Sequence, residues 1–424
     1  MSKNNVRRSD MILLLCVFMM THGGTLGAVS ERFYFPPPGE SLEDQDQRAA
    51  QDVGLESEVV SKLNSQIPSG RWALWRHGYL IHVEGDFNQI TEVKSLRKTW
   101  HALTVGAALQ QERVPSLDQK ISLWCEGLTG KHAKATWRHV ITQTSGFDYP
   151  YGSFPAYAPG TMWTYSDKNP RYLCNALARV YGKQDYRDRY DDVVRTAYFD
   201  AIGMRGWKTS VREDGIRFHF DLEDMGRLGL LVLARGRWRD KEIVPRSFVE
   251  SLERKQTRGV KVNYSGPDDG RVGLDPKDFP EAPYGFMTWV NTDGDYYPDA
   301  DSRWAWGSGA GGSYVLWNHG NGIVFAGFGV DTRPTRQGIP QIVESSITGV
   351  NPLSQVKRPT ASKCASGSGP AAREVLGVPE PSRVESWWLK FACDKTVLPR
   401  SCCFREAFCD WPPSVGRSSD MMIV

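Results

Sequence analysis

A mixed α+β fold, with one sheet closed by both ends of a globular domain and helices between, follows from three features of the sequence. Two short β-rich runs lie early, at 71–75 and 79–83, and three more lie late, at 284–290, 312–317 and 323–330. The residues between them carry helical periodicity punctuated by glycine stops. At 40% hydrophobic and 24% charged, the 424-residue chain has the balance of a folded soluble protein, and a formal charge of +3 is too mild for a nucleic-acid surface.

The first 28 residues read as a removed secretory signal. Lys3, Arg7 and Arg8 precede the apolar run 11–20, and Gly23, Gly24, Gly27 and Ala28 supply small residues for cleavage. The run is short for a membrane span, so an uncleaved anchor is the lesser alternative and no stable membrane insertion is expected after cleavage. The expected location is periplasmic or extracellular. Export permits disulfides; with Cys16 removed, seven of the eight cysteines remain, so at least one thiol stays unpaired in a monomer. Cys125 and Cys174 fit buried small side chains.

Residues 29–54, with Pro36-Pro37-Pro38 and a polar run to Gln51, read as an exposed leader to a domain spanning 55–350. A short helix at 57–63 leads into the first two strands, which join near Gly78. The helix expected after Ser95 has little polar surface, because Leu103, Val105, Ala107, Ala108 and Leu109 crowd it, and should be buried. The block 135–147 has a helical middle and stops at Gly146, with His139 read as a hydrogen-bonded structural histidine. A turn-rich loop, 158–167, precedes a helix at 171–181; further helices follow at 222–234 and 245–252. Residues 260–283 are rich in Gly, Asp and Pro and read as an irregular surface excursion. The final two strands turn at 318–322.

Chemistry concentrates at Ser95-Leu96-Arg97-Lys98. Residues three apart share a helix face, so the Lys98 amine lies within reach of the Ser95 hydroxyl, which needs such a neighbour to act as a nucleophile. The unpartnered N–H groups of a first helical turn suit a developing oxyanion. A second Ser-x-x-Lys, Ser354 to Lys357, lies before Pro359 without helical periodicity and is a chance match.

The order of blocks carries more information than any one of them. Ser95-x-x-Lys98, Thr144-Ser145-Gly146, Pro159-Gly160-Thr161 before Tyr165-Ser166-Asp167, and the glycine run 307–312 together resemble the serine β-lactamase and penicillin-binding-protein superfamily. More narrowly, they resemble its class C β-lactamase-related branch of esterases, D-alanyl peptidases and aminohexanoate-oligomer hydrolases. The likeness spans roughly 55–335, including the stretch 229–248 around Gly236-Arg237-Trp238. It implies a β-lactamase/transpeptidase-like fold: an antiparallel sheet flanked by helices, with a mostly helical subdomain. It also implies Ser95 as the acylated nucleophile, Lys98 as its amine partner and Tyr165 as general base or proton shuttle, with Tyr165 and Lys98 both open as the base. Ala310 N–H is implied as the second oxyanion donor beside Ser95 N–H, and Asp167, Trp306, Gly309 and Gly311 as substrate-binding positions.

Two departures qualify that implication. Asp167 stands where the family commonly has Asn. The late strand reads Trp306-Gly307-Ser308-Gly309-Ala310, without the Lys-Thr-Gly whose lysine binds a substrate carboxylate in β-lactamases and D-alanyl peptidases. The resulting expectation is an exported serine hydrolase acting on a small-molecule ester, amide or peptide, with a catalytically silent peptide or cell-wall-fragment binder as the alternative. Tyr149, Tyr151, Trp163, Trp289 and Trp306 are candidates to line the acyl pocket. No cofactor is expected, since neither a His-Glu-x-x-His helix nor a phosphate-binding loop is present. No metal is expected in the 351–424 tail either, where Cys364, Cys393, Cys402, Cys403 and Cys409 match no zinc spacing and no histidine follows His319. That tail reads as partly disordered, without a derivable role.

Overall fold

The computed structural model describes residues 33–37, 39–42, 47–147, 157–263, 274, 277–330 and 338–349. The signal region, the 351–424 tail, Tyr149 and Tyr151 lie outside them. Six strands form the main sheet in the order Trp289–Val290, Trp304–Gly309, Ser313–Asn318, Ile323–Phe328, Arg71–Arg76, Tyr79–Glu84. Every neighbouring pair is antiparallel. The early hairpin thus joins the late strands through the Arg71–Arg76 and Ile323–Phe328 ladder, in register from Arg71 opposite Phe328 to Arg76 opposite Ile323.

Both faces of this sheet are covered, and the two-residue side-chain alternation divides the core. Ala73, Trp75, Val315, Trp317, Val324 and Ala326 join the helices Arg97–Gln110 and Leu222–Leu233 on one face. Trp72, Leu74, Leu316, Ile323 and Phe325 join Leu63 and Val343, from helices Val59–Gln66 and Ile339–Ser345, on the other. The Arg97–Gln110 helix is buried over nearly its whole length, as its apolar composition predicts. Gly106 lets it close on the Arg246–Leu252 helix: a Cβ there would lie 2.6 Å from Val244 Cγ1 and 2.8 Å from Phe248 Cδ1.

Two sequence expectations are corrected and one unexpected hairpin is added. The leader is not exposed where it is described, because Phe33, Leu42, Ala50 and Val53 are buried among its polar residues. Tyr34 N–H donates to the His77 carbonyl at 2.8 Å, and the Ser41 hydroxyl donates to Glu223 at 2.6 Å. The strand expected over 284–290 shortens to Trp289–Val290, because Met287 adopts a left-handed φ of 50° and the chain folds back so that Tyr284 bridges Trp289. A hairpin of Lys208–Arg212 and Gly215–Phe220 was not anticipated, and it pairs with Thr91–Glu92 just ahead of Ser95. Its alternation of buried Ile216, Phe218 and Phe220 is diluted in sequence by Arg217 and His219.

The Leu222–Leu233 helix is capped by Asp221, whose Oδ1 accepts from Asp224 N–H at 2.7 Å. Asp224 accepts from Arg205 N–H through Oδ1, while its buried Oδ2 has no hydrogen-bond partner among the described residues. Burial, with the Asp221 charge beside it, pushes the Asp224 carboxyl up to about 8. Its folded value is therefore above its unfolded value of about 4. The stability it contributes is present below about pH 4 and is lost as pH rises through about 8. Asp224→Asn should flatten this decline in urea midpoints measured across that range; an unchanged slope would refute the assignment.

Candidate active site

Ser95 sits in a 3₁₀ turn, Lys94–Leu96, that runs directly into the Arg97–Gln110 helix. Lys94, immediately before it, holds a left-handed φ of 51°, uncommon for a residue with a side chain. The turn leaves Ser95 partly exposed, while the Lys98 side chain is only 1% exposed. Lys98 Nζ lies 3.2 Å from Ser95 Oγ and 2.6 Å from Asp167 Oδ1. Hydroxyl, amine and carboxylate thus form one line of contact.

Asp167 precedes the Lys168–Val180 helix, which starts three residues earlier than the sequence predicts. It stands at the N-cap, a position that favours Asp, yet makes no capping hydrogen bond. Instead it bonds Lys98, and Arg97 Nη2 at 3.3 Å. Burial opposes its charge, but the Lys98 and Arg97 cations outweigh that and hold the carboxyl well below the usual carboxylate range. One of its oxygens, Oδ1, is thus committed to Lys98 and Arg97.

Tyr165 packs as a ring rather than through its hydroxyl. Lys98 Nζ lies 4.3 Å from its ring centroid, a cation–π contact, and Trp289 stacks on it at 5.8 Å with planes 17° apart. Among the described residues, Tyr165 Oη makes no hydrogen bond. The loop holding Tyr165 is anchored from the block at 143–146. Gln143 Oε1 accepts from Ser166 N–H at 3.0 Å and from Asn169 Nδ2 at 2.6 Å, and Ser145 Oγ donates to Asn169 Oδ1 at 2.6 Å. His139 closes a capping box with Thr136, the structural role expected of it.

The glycine strand Trp304–Gly309 lies against the Ser95 turn. A Cβ at Gly309 would fall 2.2 Å from the Val93 carbonyl oxygen and 3.1 Å from Leu96 N, and one at Gly307 would fall 2.3 Å from Leu96 Cδ1. Ala310 follows at the exposed start of the hairpin loop. Neither Ser95 N–H nor Ala310 N–H is bonded to an acceptor among the described residues. Gly309 is therefore closely packed on the Ser95 turn, whereas Gly311, at φ 76°, is at the open loop tip. Trp306 points to the opposite face and is buried against Tyr296 and Tyr297, at 5.0 and 5.4 Å, so it backs the site instead of lining it. Trp163 and Trp289 are likewise buried.

Sequence reasoning missed Arg97, Asp214, Gln143 and Asn169. Arg97 stands inside the Ser-x-x-Lys motif, yet nothing in a single chain marks it as wholly buried. Cys125 and Cys174 are buried free thiols, as expected; burial pushes Cys125 up to about 12 and Cys174 up to about 11, so neither suits nucleophilic work.

An antiparallel sheet from both ends of the domain, with a Ser-Lys pair opening its central helix, is the architecture of the serine β-lactamase and penicillin-binding-protein superfamily. A family model described as Beta-lactamase matches residues 49–336, and the chain belongs to that family, whose members are serine hydrolases. Solved structures with the same fold include a β-lactamase from Mycobacterium bovis, 16% identical with a TM-score of 0.50, covering 68% of this chain and 97% of its own. EstCE1, a hydrolase with promiscuous acyltransferase activity, is 14% identical with a TM-score of 0.51, covering 71% and 99%. A penicillin-binding-protein homologue from Caulobacter crescentus is 12% identical with a TM-score of 0.51, covering 68% and 97%. No curated protein sequence matches the chain.

Gly309→Ala would drive a methyl group into the Val93 carbonyl. Overpacking of this kind costs about 1–3 kcal/mol. Thermal unfolding should register that loss, and an unaltered melting temperature would show that the strand does not bear on the turn.

Proposed function

We propose that the chain is an exported serine hydrolase that cleaves an ester or amide through an acyl-enzyme on Ser95. The observation that carries this reading is the line of contact from Ser95 Oγ through Lys98 Nζ to Asp167, beside two N–H groups bonded to no acceptor among the described residues. Either Tyr165 as its phenolate or Lys98 as its neutral amine takes the Ser95 proton; Lys98 Nζ lies within hydrogen-bond distance of Ser95 Oγ at 3.2 Å, whereas Tyr165 meets Lys98 through its ring. Ser95 Oγ attacks the carbonyl carbon, and the oxygen that gains charge is met by Ser95 and Ala310 N–H. Collapse expels the alcohol or amine, which leaves with the proton; water then releases the acid and restores the hydroxyl.

The substrate preference follows from Gly307. Leu96 and Thr99 occupy the space a side chain would need there, and no residue of the Trp304–Gly309 strand is cationic. A site without that cation favours neutral esters and amides over β-lactams, which carry a carboxylate. The basic start and short apolar run at the N-terminus support export.

A fluorophosphonate probe should label the parent chain and spare Ser95→Ala. Absence of labelling in folded parent protein would instead favour a catalytically silent binder. Short-chain p-nitrophenyl esters should be hydrolysed measurably and a chromogenic cephalosporin turned over slowly; rapid cephalosporin turnover would refute the role given to Gly307.

A further inference from the structure

We propose that Arg97 and Asp214 are positioning residues for this site: a buried guanidinium and a carboxylate from the second sheet that together decide how Asp167 meets Lys98. The proposal rests on the reading of Ser95 and Lys98 given above.

Arg97 lies between the two residues of the Ser-Lys pair, and its side chain is 0% exposed. Its Nη2 reaches two carboxylates, Asp167 Oδ1 at 3.3 Å and Asp214 Oδ2 at 2.8 Å. Its Nη1 donates to the Lys94 carbonyl at 3.4 Å, so the same group also steadies the left-handed residue that introduces Ser95. Asp214 sits in the turn between strands Lys208–Arg212 and Gly215–Phe220, and is bonded by Arg217 as well. Arg217 lies 3.8 Å from Glu92, and Glu92 pairs with Lys94 at 2.8 Å. The network returns to the residues immediately ahead of Ser95.

The distances show what Asp214 accomplishes. One oxygen of Asp167 faces two cations, Lys98 at 2.6 Å and Arg97 at 3.3 Å. A buried guanidinium without another anion would draw Asp167 toward itself, because an uncompensated charge there is strongly disfavoured. Asp214 meets that demand at the shorter distance and leaves Asp167 nearer to Lys98. The planar fork of arginine serves two carboxylates and a carbonyl at once, which a lysine ammonium on a flexible stem does not reproduce. Asp214 bonds Arg97 and Arg217 and touches neither Ser95 nor Lys98, so it acts on Asp167 through Arg97.

The test compares Asp214→Asn, Arg97→Lys and Ser95→Ala in the full chain, by ester kinetics, rate of fluorophosphonate labelling and thermal unfolding. Displacing Asp167 by a fraction of an ångström should lower kcat and the labelling rate by about tenfold to a hundredfold, with KM within about twofold. Melting temperatures that fall while kcat, KM and labelling of the folded fraction stay parental would overturn the proposal and leave the pair purely structural. Asp214→Asn is nearly isosteric and partly exposed at a hairpin turn, so it decides the matter where Arg97→Lys does not fold. Ser95→Ala separates the two levels. Retained activity in that variant removes the Ser95 reading itself, whereas an inactive Ser95→Ala beside a parental Asp214→Asn removes only the positioning role.

Discussion

The 2.6 Å ion pair between Lys98 and Asp167 is the contact on which the rest of the site depends. An ammonium that is 1% exposed is costly unless an anion and good hydrogen bonds replace the water it has lost. Asp167 supplies that anion at the expense of capping its own helix, and thereby joins the start of the Lys168–Val180 helix to the first turn of the Arg97–Gln110 helix. With the pair in place, the ammonium can sit both beside a serine hydroxyl and over an aromatic ring. Without it, a lysine in that position would have little reason to stay buried.

A second constraint is steric. The Ser95 turn and the Trp304–Gly309 strand approach until there is no space for a Cβ at positions 307 or 309. This approach brings the strand that leads into Ala310 against the turn, and it leaves no room for a side chain at position 307. One packing requirement thus shapes both the proposed oxyanion contacts and the proposed substrate preference. Behind the site, Tyr165, Trp289, Tyr296 and Trp306 form a run of rings at 5.8, 5.9 and 5.0 Å, so the aromatic residues buttress the Tyr165 ring.

Much of the fold was legible because its signals are local. The 3.6-residue apolar pattern of 222–233 and the glycine-marked hairpin at 318–323 read directly from sequence. The burial of the Arg97–Gln110 helix was likewise evident from its composition. What escaped notice depends on distant partners. The leader's apolar residues are spaced too widely to form a period; Phe33 and Leu42 join the core cluster of the Leu222–Leu233 helix, and Ala50 and Val53 that of the Val59–Gln66 and Ile339–Ser345 helices. The Gly215–Phe220 strand hides its alternation behind an arginine and a histidine that find their own partners, Asp214 and Ser210.

The sequence by itself determined the family and the mixed sheet drawn from both ends of the domain, and it singled out Ser95, Lys98 and Tyr165 as candidates. Those follow from residue types at short spacings and from the order of blocks. Only the tertiary structure decided that Asp167 pairs with Lys98, that Trp306 and Gly309 are closely packed, and that Arg97 reaches both Asp167 and Asp214. The reason is that charge pairing and close packing are properties of distance in space: Asp167 and Asp214 lie 70 and 117 residues from Arg97, and a linear pattern carries no record of which carboxylate a buried cation will choose.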